Sequence, residues 1–413
     1  MIIMKGNTYQ SNVKSHKDPI TGVEVIRLTD NLDIYDRPYF TTSQFSSDGK
    51  YTLYASNFTG TANIKNENAP GVGKIGFGEL FTLELETGKS LQVTQGEAIK
   101  MGHGCHALMA PSGKKSYYYS NEELKVVDLE TLESRSLMRI PFSYNFHSLS
   151  ITDDERYLAF TIVEELNYLS YQFAEKNPVG NPTALESFYG EPRSFVIRYD
   201  TVEDKMLVVY GAHRRMTHVS LKPDDGDYML YCHEGPWHLV QRMWMARVST
   251  EEHTPLILQR KHLERVGHEF FTPMGRVGTQ YSYRYKADMP FFMNADIFVD
   301  YDGKNEERFY YPHSRPSHVS VNFDDSVGVG DAAELYAGMK DSRKMLSLIN
   351  YNKETHTAEQ SILCRHDASG KKSAHVHPVF TPDGSHIIFT SDFEGAINIY
   401  MVAADASKAV NKY

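Results

Sequence analysis

Apolar and polar residues alternate with period two over short runs along most of the chain, and the runs come in pairs joined by polar turns. Residues 375–392, HVHPVFTPDGSHIIFTSD, show the unit: a strand, a turn built on Asp-Gly, and a second strand. The same form recurs in FTTSQFSSDGKYTLYAS from Phe40, CHALMAPSGKKSYYYS from Cys105 and FHSLSITDDERYLAFT from Phe146. It returns in THVSLKPDDGDYMLYC from Thr217, GHEFFTPMGRVGTQYSY from Gly267 and SHVSVNFDDSVGVGD from Ser317, which makes seven copies. Most are followed by two more strand-like runs, as in LFTLELETGKSLQVTQ from Leu80 and LSLINYNKETHTAEQSIL from Leu346. Each copy therefore predicts four short strands.

Four-stranded sheets in repetition bury their faces against one another and leave only short edges, which is the logic of a β-propeller. The pattern predicts an all-β, seven-bladed β-propeller over residues 1–413 as a single domain. The last copy offers only AINIYMVAAD after its hairpin and lacks an outer strand, which GVEVIRLTD at residues 22–30 can supply, closing the ring. The longest insertion, residues 163–193, has room for a short helix and carries aromatics and Arg193 that suit a lid over a site or a plain surface excursion. GVGKIGFG at residues 71–78 fits a GxGxxG spacing but leads into a strand, with no helix N-terminus to hold a pyrophosphate, so it reads as a turn.

Alignment of the seven copies brings a chemical pattern into register. Three residues before the apolar positions Phe45, Met109, Ile151, Leu221, Phe271, Val321 and Phe380 stand Thr42, His106, Ser148, His218, His268, His318 and His377. Five of the seven are histidine, and in a propeller equivalent inner-strand positions converge at one rim. Imidazole is the commonest metal ligand and titrates nearest neutral pH, so a ring of them can hold an ion and a base. A single histidine at a strand start more often only bonds a nearby loop. His375 and His377, two apart on a strand, would project to one face and share an ion. With His268 they make a three-point site with open positions. His103 and His106, in HGCH, read as packing or substrate contact. CHEGPWHLVQRMW crowds His233, Glu234, His238 and Arg242 at a strand end, and DRPYF sets Arg37 ahead of the first inner strand.

Composition narrows the function classes. The chain has 27 Tyr and 21 Phe but 2 Trp, a strand-favouring set. Its formal charge of −10 excludes the basic excess of a nucleic-acid binder, so an anionic substrate needs a local basic pocket. Three cysteines without CxxC spacing make no disulfide framework and favour a reducing compartment. MIIMKGNTYQSNVKSHKD has no secretory apolar core, and no run approaches the roughly 20 apolar residues of a membrane helix. The expectation is a cytoplasmic protein that does not engage a membrane. No GxSxG appears, which counts against the peptidases that carry a propeller before a hydrolase domain.

TGVEVIRLT, DRPYF, EPRSFVIRYD, THVSLKP, CHEGPWHLVQRMW, GHEFF, PSHVSVNFDD and AHVHPVFTPDG together resemble the oligogalacturonate lyases, seven-bladed propellers of the TolB-like kind that degrade short pectin fragments. The resemblance implies β-elimination on an acidic oligosaccharide, assisted by a divalent ion, typically manganese, held by three His and a Gln. The three His match His268, His375 and His377; the Gln position is Lys372, whose ammonium is no ligand while protonated and can instead pair with a substrate carboxylate. The family's base matches His218 and its catalytic arginine matches Arg193, while Arg37, His106, His233, Arg242, His318 and Lys372 are left as substrate contacts. Two alternatives stay open: a non-catalytic sugar-binding or scaffold propeller, and a lyase for another uronic-acid oligosaccharide.

Overall fold

The structure is a computed structural model that describes residues 4–410 except 31–34, 58–75, 103, 166–189, 237–238, 262, 285, 287–292, 332–343 and 370–374. The expected helix and lid of the long insertion, His103, His238, Lys372 and most of the glycine run at 71–78 lie outside the described residues. Among the described residues there is no α-helix, and Ala406–Lys408 forms a 3₁₀ turn. Among the described residues no helix is long and apolar enough to cross a membrane.

Among the described residues the strands form five antiparallel sheets, of ten, four, four, five and eight strands, and the strands of each successive copy of the repeat are numbered as the first to the seventh group. The Asp-Gly turns show why the repeat folds this way. Asp48 accepts from the Ser46 hydroxyl at 2.6 Å and the Lys50 amide at 3.1 Å, while Asp383 accepts from Thr381 at 2.7 Å and Ser385 N–H at 3.1 Å. The side chain thus closes the turn before the backbone does. The next residue takes positive φ, 68° at Gly49 and 69° at Gly384, which glycine adopts at no steric cost. Thr152 and Asp154 repeat the contact at 2.6 Å, with Glu155 left-handed at 60° in place of glycine.

The chain divides into two compact units, one spanning Arg139–Tyr310 and the other formed by the described chain on either side of it. The flanking unit holds the first, second, sixth and seventh groups. In its seventh group Val379–Phe380, His386–Ser391 and Asn398–Ala403 are joined by Glu24–Arg27, with Val25 opposite Val402 and Arg27 opposite Tyr400. The N-terminal segment therefore does supply the missing strand, and Lys14–Lys17 adds a fifth outside it. Val23 and Val25 join Phe389, Tyr400 and Val402 in a core shared with Val329, Leu346 and Leu363 of the sixth group. Leu53 and Leu80 of the first group likewise pack with Met109 and Tyr118 of the second.

The central unit holds groups three to five. Its cores are also shared between successive groups: Ala159 and Val196 meet Met216, Met229 and Tyr231, and Leu230 and Met245 meet Val277, Tyr281 and Ile297. Burial on both faces explains why interior strands read as near-continuous apolar runs, such as Leu158–Val163.

Candidate metal centre and a second charge network

At four of the seven positions in the histidine register the backbone is left-handed. Ser148, His218, His268 and His377 all have positive φ, at 54°, 51°, 55° and 43°. At the first three the strand pairing slips, between His147 and Leu149, Thr217 and Ser220, and Gly267 and Phe270. Each is a β-bulge, which re-aims a side chain away from its place in the pleat. The left-handed conformation costs a non-glycine residue roughly 1–2 kcal/mol, a strain that recurs at functional positions.

In the flanking unit, His318, His375 and His377 each offer a donor nitrogen, and these atoms all lie within 4.8 Å of one another. The ring centroids are 4.5 Å apart for His318 and His377, 5.1 Å for His375 and His377, and 5.8 Å for His318 and His375. His375 and His377 lie in the segment before the strand Val379–Phe380, and they converge through the left-handed turn at His377 rather than through strand alternation. His318 arrives from the sixth group because its inner strand abuts the seventh: the Ser320 hydroxyl donates to the Pro378 carbonyl at 2.9 Å.

The expected trio had His268 as its third member and left His318 for substrate. Within the flanking unit the structure brings His318 to the pair, because the inner strands of the sixth and seventh groups abut. His268 belongs to the central unit, where its Nδ1 lies 2.9 Å from Gln280 Oε1.

The trio is walled and braced by residues that the sequence only partly signalled. Tyr39 lies edge-on to His377 at 4.8 Å, and Phe40 contacts His318 at 5.3 Å and His377 at 5.6 Å. Arg37, expected at the rim as a substrate contact, is 2 % exposed. Its guanidinium donates to the His377 carbonyl at 2.7 Å, Gln44 Oε1 at 2.7 Å and Thr390 Oγ1 at 3.2 Å, so it braces the ligand segment from beneath. Burial lowers its pKa to about 10 against the opposing pull of Asp36. Asp331 accepts from His318 N–H at 2.8 Å and faces Nδ1 at 2.9 Å. Burial works against ionisation of Asp331, yet the His318 ring and its hydrogen bonds hold the carboxyl below its usual range. Nothing local marks Asp331 in the sequence, since its partner is thirteen residues away across a hairpin.

The central unit carries a second polar cluster. Arg242, 3 % exposed, meets Glu269 at 3.0 Å through Nε and Glu234 at 3.2 Å through a terminal nitrogen. His218 Nε2 lies 3.4 Å from Glu234 Oε1, and Thr217 also donates to that oxygen at 3.0 Å. Burial opposes the charge of Glu234, but Arg242, His218 and Arg215 hold its carboxyl well below the carboxylate range. Burial also lowers the proton affinity of His218, with Glu269 and Glu234 pulling against Arg242. The Arg242 guanidinium, expected on substrate, is therefore engaged with two carboxylates. Glu269 follows His268 in GHEFF and was not singled out from the sequence.

The remaining candidates are dispersed. Arg193 starts its strand, exposed, and donates to Glu164 three times, from Nη2 at 2.8 Å, Nε at 3.3 Å and its backbone N–H at 3.0 Å. His233 is buried against Trp244 at 5.1 Å, and burial, followed by Arg214, pushes its pKa down to about 4. His106 is half-buried near Tyr119 at 6.5 Å, and burial, followed by Lys100, lowers it to about 3. All three cysteines are buried and free.

Three imidazoles with converging nitrogens, one backed by a carboxylate, are a donor set that fits a borderline divalent cation and leaves coordination positions for other oxygens. A family model for oligogalacturonate lyase matches residues 3–408. The chain is similar to the oligogalacturonate lyase of Dickeya dadantii (strain 3937), 25% identical over 417 residues that cover 96% of this chain and 97% of that protein. The oligogalacturonide lyase of Pectobacterium atrosepticum matches with the same identity and coverage. Among solved structures, an oligogalacturonate lyase from Vibrio parahaemolyticus superposes with a TM-score of 0.79 at 25% identity, over 98% of this chain and 100% of that one. An oligogalacturonate lyase in complex with manganese shares the fold, with a TM-score of 0.78 at 22% identity, over 98% and 100% of the two chains. A match that runs almost from end to end, at the family level and against curated relatives alike, establishes that this chain belongs to the oligogalacturonate lyase family.

Proposed function

We propose that the chain cleaves oligogalacturonides by β-elimination, with His318, His375 and His377 holding a divalent cation, most simply manganese. The observation that carries this reading is the convergence of the three imidazole nitrogens within 4.8 Å in a chain of this family. Membership makes it an oligosaccharide lyase; the manganese complex of a relative supports the choice of ion. The seven-bladed closed ring belongs to the same reading, supported by seven strand groups and by the pairing of Glu24–Arg27 with Asn398–Ala403.

The difficulty in such a reaction is the acidity of C5–H, which lies alpha to a carboxylate already charged. A bound cation supplies positive charge to that carboxylate, and preorganised charge of this kind is usually the largest catalytic contribution. His218 takes the C5 proton, the C–H electron pair becomes the C4–C5 double bond, and the C4–O bond breaks with its electrons on the leaving oxygen, which takes a proton from water. An imidazole whose proton affinity is lowered by burial is neutral near pH 7 and available as a base. Arg193, exposed at its strand start, offers a guanidinium to the substrate's negative charge. Buried free thiols are consistent with the cytoplasm as the working compartment.

The test is to mix the protein with oligogalacturonides and follow the far-ultraviolet absorbance of the unsaturated product. Signal that vanishes with a chelator and returns with Mn²⁺ supports the reading. Activity indifferent to chelation removes the cation from it; binding without signal makes the protein a sugar-binding propeller; signal only on other uronates changes the substrate.

A further inference from the structure

We infer that Asp331 is a positioning residue of the cation site, holding His318 in the tautomer and orientation that turn Nε2 toward the ion. This rests on reading His318, His375 and His377 as the site. Asp331 ends the strand Val327–Asp331, whose Gly330 pairs with Val319, the residue after His318. It is 2 % exposed, and its two oxygens both go to one residue. One accepts the His318 backbone N–H at 2.8 Å; the other meets Nδ1 at 2.9 Å.

The first contact fixes where the histidine starts and the second fixes where its ring ends, so neither the side-chain rotamer nor a ring flip is left open. A carboxylate can only accept, which requires Nδ1 to carry the proton. In a neutral imidazole that leaves the lone pair on Nε2, the nitrogen remaining for a ligand. Phe40 at 5.3 Å and Tyr39 at 6.4 Å flank the ring and oppose its swinging away. The backbone adds a third tie, since the Ser317 N–H donates to the Asp331 carbonyl at 2.9 Å. Metal-bound histidines are commonly oriented by such a partner, and loss of it typically weakens the metal about 10–100-fold.

An amide at this position cannot replace the carboxylate, because both contacts need acceptors and an amide has one acceptor and one donor. Mn²⁺ binding to the whole chain, read from the electron paramagnetic resonance signal of the free ion, should therefore be about 10–100-fold weaker in Asp331→Asn than in wild type. Asp331→Glu should recover part of the loss, and thermal melting should show the variants folded. Wild-type affinity in folded Asp331→Asn overturns the inference while leaving the cation site standing. If Asp331→Asn does not fold, the ¹⁵N shifts of the wild-type His318 ring decide: protonation at Nδ1, with the Nε2 signal moving on Zn²⁺ addition, supports the assignment, and protonation at Nε2 overturns it. A wild-type chain that binds no ion refutes the site itself, and with it the positioning role.

Discussion

At the scale of single residues, the bulged register position explains how unlike side chains come to present themselves in the same way. Ser148, His218, His268 and His377 share the left-handed backbone irrespective of chemistry, while Thr42, His106 and His318 do not, so the conformation recurs in four of the seven copies and is not tied to the imidazole. His218 is the member best suited to accept a proton, being lowered by burial and held beside Glu234. Replacing it should isolate the chemical step, because Glu234 keeps Arg242 and Thr217 as partners without it. His218→Ala is expected to lower turnover about 10²–10⁴-fold with an unchanged melting temperature, a split that steady-state kinetics beside thermal denaturation can measure. Unchanged turnover would assign the proton transfer to another group. Arg37 teaches the reverse lesson: a guanidinium beside the site in sequence is, in three dimensions, wholly occupied in bracing the His377 carbonyl.

At the scale of elements, the seventh group depends on a strand from the opposite end of the chain. Val23, Val25 and Leu28 are at most 1 % exposed, and each such aliphatic contributes about 1.5–3 kcal/mol on burial. Thr29 adds a hydroxyl contact to Asn398 at 2.9 Å. Deleting residues 1–30 would strip this strand from Asn398–Ala403 and expose the core that the sixth and seventh groups share, next to His375 and His377. A loss of at least about 4 kcal/mol in denaturant unfolding is expected, which is the sum for three side chains at the low end of the range. A truncated chain with full stability would show that the N-terminal pairing is dispensable.

At the scale of the whole molecule, stability should fall on mild acidification. His106 and His233 are pushed to about 3 and about 4 by burial, and His218 and His253 are lowered for the same first reason. Unfolded imidazoles titrate near 6.5, so between that value and the folded pKa values the unfolded chain binds more protons. Their contribution is complete above pH 6.5 and is lost as pH falls toward 4. Asp36 acts oppositely: burial raises it to about 7, so its contribution is present below its ordinary 3.8 and lost as pH rises through 7. Four imidazoles outweigh this one carboxyl. The melting temperature should drop by at least a few °C between pH 6.5 and 4.5 at constant ionic strength. A flat or rising profile would mean that these imidazoles are solvated.

The sequence by itself determined the all-β class, the strand groups, the Asp-Gly turns and the N-terminal strand exchange, because each is written in local alternation or in turn chemistry repeated at a fixed register. It also determined which positions carry imidazoles. Which imidazoles meet was decided by tertiary structure, since that depends on which inner strands are neighbours. His318 joins His375 and His377 because Ser320 sits against Pro378, a contact between residues 58 apart that no spacing rule encodes. The same holds for the groups that hold the site in shape. Asp331 and Arg37 act through hydrogen bonds across strands, and burial, a property of the packed chain alone, sets whether a titratable side chain touches substrate or supports one that does.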